Sequence, residues 1–419
     1  MKFSIITPTH SVKNLPFLLE LYYSITSQIY TNWEWVLYLN NGMKQEELPE
    51  VIRANKKVSI YVNENPEPNI GAIKHLAFHL GSGDILVEVD HDDLLTTDCL
   101  YELNKDFQDE TIGFVYSNSI VNHMEDKFIP FNPAMGWTYK TYNWNGKECY
   151  SMNHFPATSH SLCYIWFAPD HVRAWRTSVY KQIGGHNSKL SVCDDHELCI
   201  RTYLATKIKF NTKPLYVYRI TGDNTWLARN QLIQDTTVQL FDIHVRALAE
   251  KDAVDRGLLK IDLGGGLYPY SDYKTIDIRE NADYVADLND GIPLPDNSVG
   301  VMHAHHILEH LNDTRKIMAE IHRVLAPGGW VFIEVPSTDG RGAWQDPTHV
   351  SFWNENSFLY YTHKEQAIFI DNTDIRFQEF KKTTYYPNQF MKDHNILVTC
   401  AVLVAIKAES PRYPGPLTI

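Results

Sequence analysis

The sequence predicts two α/β domains in one chain, and three observations carry that prediction. Its 419 residues suit two domains at roughly 100–200 residues each. Apolar runs of strand length alternate with helical patterns twice, once in each half. Each half also places a chemically loaded cluster directly after a buried strand: Asp90-His91-Asp92-Asp93 in the first, Gly264-Gly265-Gly266 in the second. Ligands of open α/β sheets bind beyond the carboxyl ends of the strands, so these clusters mark two candidate sites.

In the first half, residues 2–8 read as a strand and 15–28 as a helix. Residues 33–39 form a second strand, closed by the Asn40-Asn41-Gly42 turn. Residues 58–62 are a third strand, 70–80 a helix stopped by Gly81-Ser82-Gly83, and 85–89 a buried strand ending on Asp90. The alternation implies a mostly parallel sheet covered on both faces. Residues 122–170 are aromatic-rich and irregular, with Trp137, Tyr139, Tyr142, Trp144 and Trp166. They read equally as an acceptor surface, because aromatic faces stack on sugar rings, or as a packed excursion over the core.

Residues 229–252 show helical spacing through Leu232, Ile233, Leu240, Phe241, Val245 and Leu248. A second alternation opens at 258–263. The expected division is therefore 1–228, a helical linker 229–256, a second domain 257–410, and a tail 411–419. Strands follow at 273–276, 299–304 and 330–335. A helix begins at Glu309-His310 and reaches Leu325, and the turn Ala326-Pro327-Gly328-Gly329 comes after it.

Composition bounds the function classes. Apolar residues make up 44% and charged residues 21%, as in soluble globular proteins. A net charge of −13 disfavours nucleic acid as a partner, since that binding depends on neutralising phosphates. The six cysteines include no C-x-x-C pair, which argues against a zinc or redox site and for a reducing compartment. The first residues do not form a signal peptide, and the longest apolar stretch, 396–406, is too short to span a bilayer. A cytoplasmic protein without stable membrane insertion is expected. Oligomeric state is not legible.

Asp90, Asp92 and Asp93 place three carboxylates within four residues. Such crowding raises their pKa values unless a cation sits among them. Hard oxygen ligands suit Mg²⁺ or Mn²⁺ held together with substrate phosphates. A metal there would stabilise a departing nucleoside diphosphate. About 100 residues on, Cys193-Asp194-Asp195-His196-Glu197 supplies carboxylates for the other half of such a reaction, removal of a proton from an acceptor hydroxyl. Asp195 is the expected base and Asp194 the alternative. The same pair also reads as a helix cap.

Together with Thr7-Pro8-Thr9, Asn69-Ile70-Gly71-Ala72-Ile73-Lys74, Gly83-Asp84 and Ile183-Gly184-Gly185, these clusters resemble the family 2 inverting glycosyltransferases of the GT-A fold, over roughly residues 1–228. The resemblance implies a donor site at Thr7, Pro8, Thr9, Asn40, Lys74 and Asp90. It implies a metal at Asp92 and Asp195 as base. Asp90 would face the ribose and Asn40 the base, where the family more often has Asp. Lys74 would reach the nucleotide or its diphosphate. The segment Tyr218-Arg219-Ile220-Thr221-Gly222-Asp223-Asn224-Thr225 stands where the family often has a His metal ligand, and Thr221 occupies that place.

In the second half the three glycines let the backbone turn tightly and approach a ligand. Pro269 then prevents the immediate helix of a dinucleotide fold. The next strand ends on Asp277, an acid suited to ribose hydroxyls. Asp287, His305-His306, Leu308-Glu309-His310 and Leu325-Ala326-Pro327-Gly328-Gly329 follow in order. The series resembles class I S-adenosylmethionine methyltransferases, whose domain is Rossmann-like, over roughly 257–410. By resemblance Asp262 and Gly264, Gly265 and Gly266 cradle the methionine end of the cofactor, Asp277 the ribose and Asp287 the adenine amine, while His305 lines the sulfonium side. Tyr268 and Tyr270 lie beside the loop. O-methylation needs a base, and His306, His310 and His349 are the candidates, His349 first. His349 in the loop Gln345-Asp346-Pro347-Thr348-His349 reads equally as a solvated side chain.

The expectation is a bifunctional enzyme of surface-glycan or polysaccharide biosynthesis. It would move a sugar from a UDP-, GDP- or dTDP-sugar to a glycan or glycoconjugate, then methylate an acceptor, a sugar hydroxyl foremost. Fusion raises one site's product concentration at the other. Protein or modified-nucleobase acceptors, and a glycan-binding scaffold without turnover, are the alternatives.

Overall fold

The structure is a computed structural model that describes residues 1–123, 128–133, 136–221, 225–372 and 374–407. The expected tail, 411–419, and residues 222–224 lie outside the described residues. The chain divides into two compact units, Met1–Val245 and Arg246–Ile419. The segment expected as a linker is the helix Asn230–Asp255, and the division falls inside it.

The first unit contains β1 (Phe3–Thr9), β2 (Trp33–Leu39), β3 (Val58–Val62), β4 (Ile85–Glu88), β5 (Leu94–Leu95), β6 (Ile112–His123), β7 (Thr138–Trp144), β8 (Lys147–Asn153), β9 (Arg173–Arg176) and β10 (Lys207–Ile220). They form one sheet in the order β3-β2-β1-β4-β9-β6-β10-β5, with the β7–β8 hairpin joined to β6. Strands β3, β2, β1 and β4 pair in parallel, and β9 runs against both β4 and β6. Order reverses between β1 and β4, so their carboxyl ends open a crevice.

Helix Leu15–Thr26 carries Pro16 in its first turn, where a missing N–H costs nothing. It buries Leu18, Leu21, Tyr22 and Ile25, an i, i+3, i+4, i+7 stripe, against the sheet. Helix Ile70–His79 has a different job. A Cβ on Gly71 would lie 2.2 Å from the Asn187 carbonyl oxygen, and the Gly71 N–H donates to Leu190 O at 3.1 Å. Only glycine admits this approach, which seats the helix on the loop leading to Asp194.

The irregular excursion expected at 122–170 is corrected in part. It contains the β7–β8 hairpin, turned by Asn145 and Gly146 at φ of 52° and 79°. Positive φ at both central residues is the tight hairpin turn that Asn-Gly favours. Trp137 stacks on Phe167 beside buried Phe155, while Tyr142 and Trp144 pack on the main core.

The second unit contains β11 (Leu259–Leu263), β12 (Lys274–Asp277), β13 (Tyr284–Val285), β14 (Val299–His305), β15 (Leu325–Pro336), β16 (Arg376–Tyr385) and β17 (Val398–Ile406). Their order is β13-β12-β11-β14-β15-β17-β16, with β17 antiparallel to both neighbours. The switch point lies between β11 and β14. Two expectations change. The helix expected from Glu309-His310 is a single 3-10 turn, Leu308–His310, and the helix itself is Thr314–Val324, where the Asp313 carboxylate accepts from Arg315 N and Lys316 N. Strand β15 starts at Leu325, because the Pro327-Gly328 segment is a bulge within it: Leu325 pairs with Val299 and Trp330 with Val301.

Among the described residues no helix is long and apolar enough to cross a membrane. None of the six cysteines is in a disulfide.

Candidate functional sites

In the first unit, strand β4 is buried along its whole length, yet it ends in Glu88, which is 1% exposed. A buried carboxylate survives only with partners. Lys74 Nζ donates to Glu88 Oε1 at 2.5 Å, and Arg173 Nε lies 3.1 Å from Oε2. Burial opposes its charge, but Arg173, Lys74 and His171 hold the Glu88 carboxyl well below its usual range.

This buried group joins the two acidic clusters. Arg173, itself 3% exposed, donates through Nη1 to Asp195 Oδ2 at 2.6 Å. Lys74 Nζ lies 3.7 Å from Asp194 Oδ2. The two aspartates open helix Asp194–Ala205 behind Cys193, whose φ is 56°. Cys193 therefore occupies the cap position, and the acids sit in the first turn, where the helix dipole favours negative charge. They differ in exposure: the Asp195 side chain is 27% exposed and that of Asp194 5%. Burial raises the Asp194 pKa against Lys74, with Asp195 and Glu88 adding to the rise. Asp195 is held low, with Arg173 and Lys74 outweighing burial.

At the tip of β4 the Asp90 N–H donates to the Tyr216 hydroxyl at 3.1 Å. His171 stacks on the same ring, with centroids 4.9 Å apart and 16° between planes. Its Nδ1 is 3.1 Å from Asp170 Oδ1 and its Nε2 3.7 Å from Asp90 Oδ2. Burial and nearby Arg173 lower the His171 pKa, but Asp90, Asp170 and Glu88 prevail and raise it to about 10. Glu88, Asp90 and His171 each bring a ligand atom within 4.8 Å of the others.

Of the three carboxylates read as one cluster, Asp93 is set apart. It is 1% exposed and accepts the Arg219 N–H at 2.8 Å. Asp90 and Asp92 stay half-buried. Burial raises the Asp92 pKa, and Asp90 adds to the rise although His91 opposes it. A divalent cation beside Asp92 would offset both the burial and the like charge. Thr221 follows β10, half-buried.

The remaining donor-side residues have defined places. Thr7 is in the core, its hydroxyl accepting from Trp35 Nε1 at 3.0 Å. Pro8 is half-buried beside His91, and Thr9 Oγ1 is buried with no hydrogen-bond partner, a group that a ligand would satisfy. The Asn40 amide is already engaged: Nδ2 donates to Glu67 O, while Oδ1 accepts from Asn63 Nδ2 and Glu67 N. Asn40 thus shapes the 63–67 loop, and Lys74 serves the buried charges beneath the site. The sequence reading missed Glu88, His171 and Arg173. One signal was available, a charged residue inside an otherwise apolar strand.

In the second unit the glycine turn is closed by acids. Gly264 has φ of 75° and packs on Ile307. A Cβ on Gly265 would lie 2.3 Å from Asp262 Oδ2, and one on Gly266 2.6 Å from Asp277 Cγ. Asp262 accepts from Tyr270 N at 2.8 Å, and Asp277 accepts from Gly266 N and Arg279 N. A cradle so tight that no side chain fits is what close approach of a cofactor requires, so these residues fit S-adenosylmethionine. Tyr268 is exposed, whereas the Arg246 guanidinium lies 4.6 Å from the Tyr270 ring centroid.

Asp287 is exposed after β13 and accepts from Asn289. His305 ends β14 with its ring stacked on His303, and burial lowers its pKa. His306 follows at φ of 51° between Glu309 and Glu334, which raise it to about 9. The His349 side chain is only 8% exposed, so it is not a solvated loop histidine. Its ring meets His310 edge-on at 5.1 Å.

No curated protein matches the chain. Among solved structures, S. aureus TarS 1-349 in complex with UDP-GlcNAc is 15% identical, with 65% of this chain and 77% of that chain covered and a TM-score of 0.42. The mannosyltransferase PcManGT from Pyrobaculum calidifontis, in complex with GDP-Man and Mn²⁺, is 14% identical, with 61% and 73% covered and a TM-score of 0.40. Residues 4–167 match the family model for glycosyl transferase family 2, and residues 246–333 match that for a methyltransferase domain. The chain is an enzyme that joins a glycosyl transferase family 2 domain to a methyltransferase domain.

Proposed function

We propose that the first unit transfers a sugar from a nucleotide-diphosphate donor to a glycan or glycoconjugate with inversion, and that the second methylates an acceptor hydroxyl, a sugar hydroxyl foremost. The observation that carries the first half is the buried chain Asp194–Lys74–Glu88–Arg173–Asp195, which His171 extends from Glu88 to Asp90, so that both acidic clusters meet in one network. Asp195, the more exposed acid, takes the proton as the acceptor oxygen attacks the anomeric carbon. The sugar–phosphate bond breaks on the opposite side, and its electrons leave with the nucleoside diphosphate. A single displacement inverts the centre. Asp90 and the β1 end at Pro8 and Thr9 line the donor side. Mn²⁺ or Mg²⁺ at Asp92 would supply charge for the departing diphosphate.

A methyltransferase domain implies S-adenosylmethionine, which supplies the methyl group. Asp262, Gly264, Gly265, Gly266 and Asp277 hold the cofactor in this reading, Asp287 takes the adenine amine, and His305 lines the reacting side. His349 lies at the acceptor side. Its Nδ1 is 3.0 Å from the Ala343 carbonyl, which orients the ring.

Full-length protein incubated with nucleotide sugars, Mn²⁺, a glycan acceptor and labelled cofactor tests both halves. Asp92→Ala and Asp195→Asn should abolish sugar transfer while S-adenosylmethionine still binds. Donor turnover unchanged in both variants would overturn the assignments. Methyl incorporation that never depends on prior glycosylation would remove the sequential order.

A further inference from the structure

We propose that Glu309, His310 and His349 form a binding site for a divalent transition-metal ion at the acceptor side of the methyltransferase domain. The inference rests on the methyl-transfer reading only for what the ion would face. Each of the three residues brings a ligand atom within 4.8 Å of the other two. Two imidazoles and one carboxylate suit zinc, iron or manganese, and three protein ligands leave positions open.

Four observations support the site. First, Glu309 is 2% exposed and its Oε2 has no hydrogen-bond partner, while Oε1 faces His306 Nδ1 at 3.5 Å. A buried carboxylate oxygen without a donor has its lone pairs open to a cation. Second, both imidazoles are oriented by contacts of Nδ1 with backbone carbonyls. His349 Nδ1 is 3.0 Å from Ala343 O, and His310 Nδ1 is 3.2 Å from Thr348 O. A carbonyl only accepts, so each Nδ1 is turned to a backbone oxygen and Nε2 is the ring atom left to face an ion, as in metal-ligating histidines.

Third, the two segments that supply the ligands are tied together by other bonds. Val350 N and Ser351 N both donate to Glu309 O, and Ser351 Oγ donates to Leu308 O at 2.8 Å. The arrangement is thus preorganised by the fold. Fourth, the turn Leu308–His310 directly follows Ile307, which packs on Gly264 of the cofactor cradle. The ligand class that fits the ion's open side is a hydroxyl-bearing acceptor. Asp346, with Oδ2 3.8 Å from His349 Nε2, is the nearby acid a bound ion would displace or recruit.

The test uses chelator-treated full-length protein titrated with Co²⁺ and followed by visible absorption, which imidazole ligation intensifies over an all-oxygen site. Thermal shift by S-adenosylmethionine reports separately on the cofactor cradle. The expected result is an absorption that Zn²⁺ displaces and that binds about tenfold or more weakly in His310→Ala and His349→Ala, with the thermal shift kept. If an alanine variant loses the shift, His310→Gln and His349→Gln are read in its place. Absorption unchanged in the variants, or none in the unsubstituted protein with Co²⁺ in excess, overturns the metal site. A missing thermal shift in the unsubstituted protein would instead count against the methyl-transfer reading.

Discussion

Replacing Arg173 by Met removes a side chain that touches both Glu88 and Asp195. Glu88 keeps Lys74 at 2.5 Å and His171 at 3.9 Å but loses the cation that favours its charge most, at a site that is 1% exposed. Removing one partner of a buried pair costs about 3–5 kcal/mol, since the other charge stays behind in low dielectric. Strand β4 and its antiparallel neighbour β9 should bear that loss directly, because Glu88 pairs with Arg173 across the ladder. Two units make a single global unfolding free energy ill-defined, so amide hydrogen exchange of peptides spanning 83–89 and 171–177 is the suitable assay. At about 1.4 kcal/mol per tenfold, protection there should fall by a factor of about a hundred to several thousand. Glu88→Gln combined with Arg173→Met should lose less than the two single changes together, because neither charge is then stranded. A change below about tenfold in Arg173→Met, or strict additivity in the double variant, would refute the idea that this network is a coupled buried unit.

Asp195→Asn should lower the sugar-transfer rate of the folded protein by about 10²–10⁴, as for loss of a general base, beyond whatever stability is lost with its Arg173 ion pair, whereas Asp194→Asn should mainly alter thermal stability. Equal rate losses would reverse the division of roles drawn from their exposure. Gly265→Ala should weaken S-adenosylmethionine binding by about tenfold or more, about 1.4 kcal/mol, since the new methyl collides with Asp262 Oδ2; calorimetric titration reads it. Glu34 is held at about 2, where burial is outweighed by bonds from Lys2, Ser4 and Ser82. A carboxyl lowered from 4.5 to about 2 corresponds to about 3 kcal/mol, and screening at a half-buried site cuts this to about 1–2 kcal/mol. That stability is present above the unfolded value near 4.5 and is lost as pH falls toward 2, so Glu34→Gln should flatten acid unfolding in this window. An acid-unfolding profile identical to that of the unsubstituted protein would contradict the assignment.

Much of both folds was legible because each is built from buried parallel strands, which read as short apolar runs with a polar residue at the carboxyl end. Trp33–Leu39 and Val58–Val62 fall where the pattern puts them. The glycine cradle was equally plain, since backbone approach needs glycine wherever it occurs. The misses have physical causes too. The β7–β8 hairpin carries its turn signal, Asn145-Gly146, but lies in a stretch whose aromatic content suggested a surface. The bulge in β15 looked like a turn because Pro327 and Gly328 punctuate turns and bulges alike. Asp93 looked like a partner of Asp90 and Asp92, yet strand β10 supplies Arg219 N to draw it inward, a contact 126 residues away.

The charge network explains why the first site was only half readable. Its reactive edge is local: Asp90, Asp92, Asp194 and Asp195 announce themselves by crowding. Its support is not local, because Glu88, Lys74 and Arg173 meet only through the sheet order β4-β9 and the helix seated by Gly71. The cost of burying Glu88 demands cations, and one of them, Arg173, reaches outward to fix Asp195. An acid on the first turn of a helix is therefore oriented by a residue from a neighbouring strand. The second site reverses this logic. Asp262 and Asp277 accept from backbone N–H groups of the same loop and its neighbours, and Asp277 also meets the Arg279 guanidinium two residues on. Contacts of 2 to 11 residues' separation suffice, so the sequence displays the whole device. Where the compensation of a buried charge is local, the site can be read from the chain. Where it comes through the sheet, only the fold reveals it.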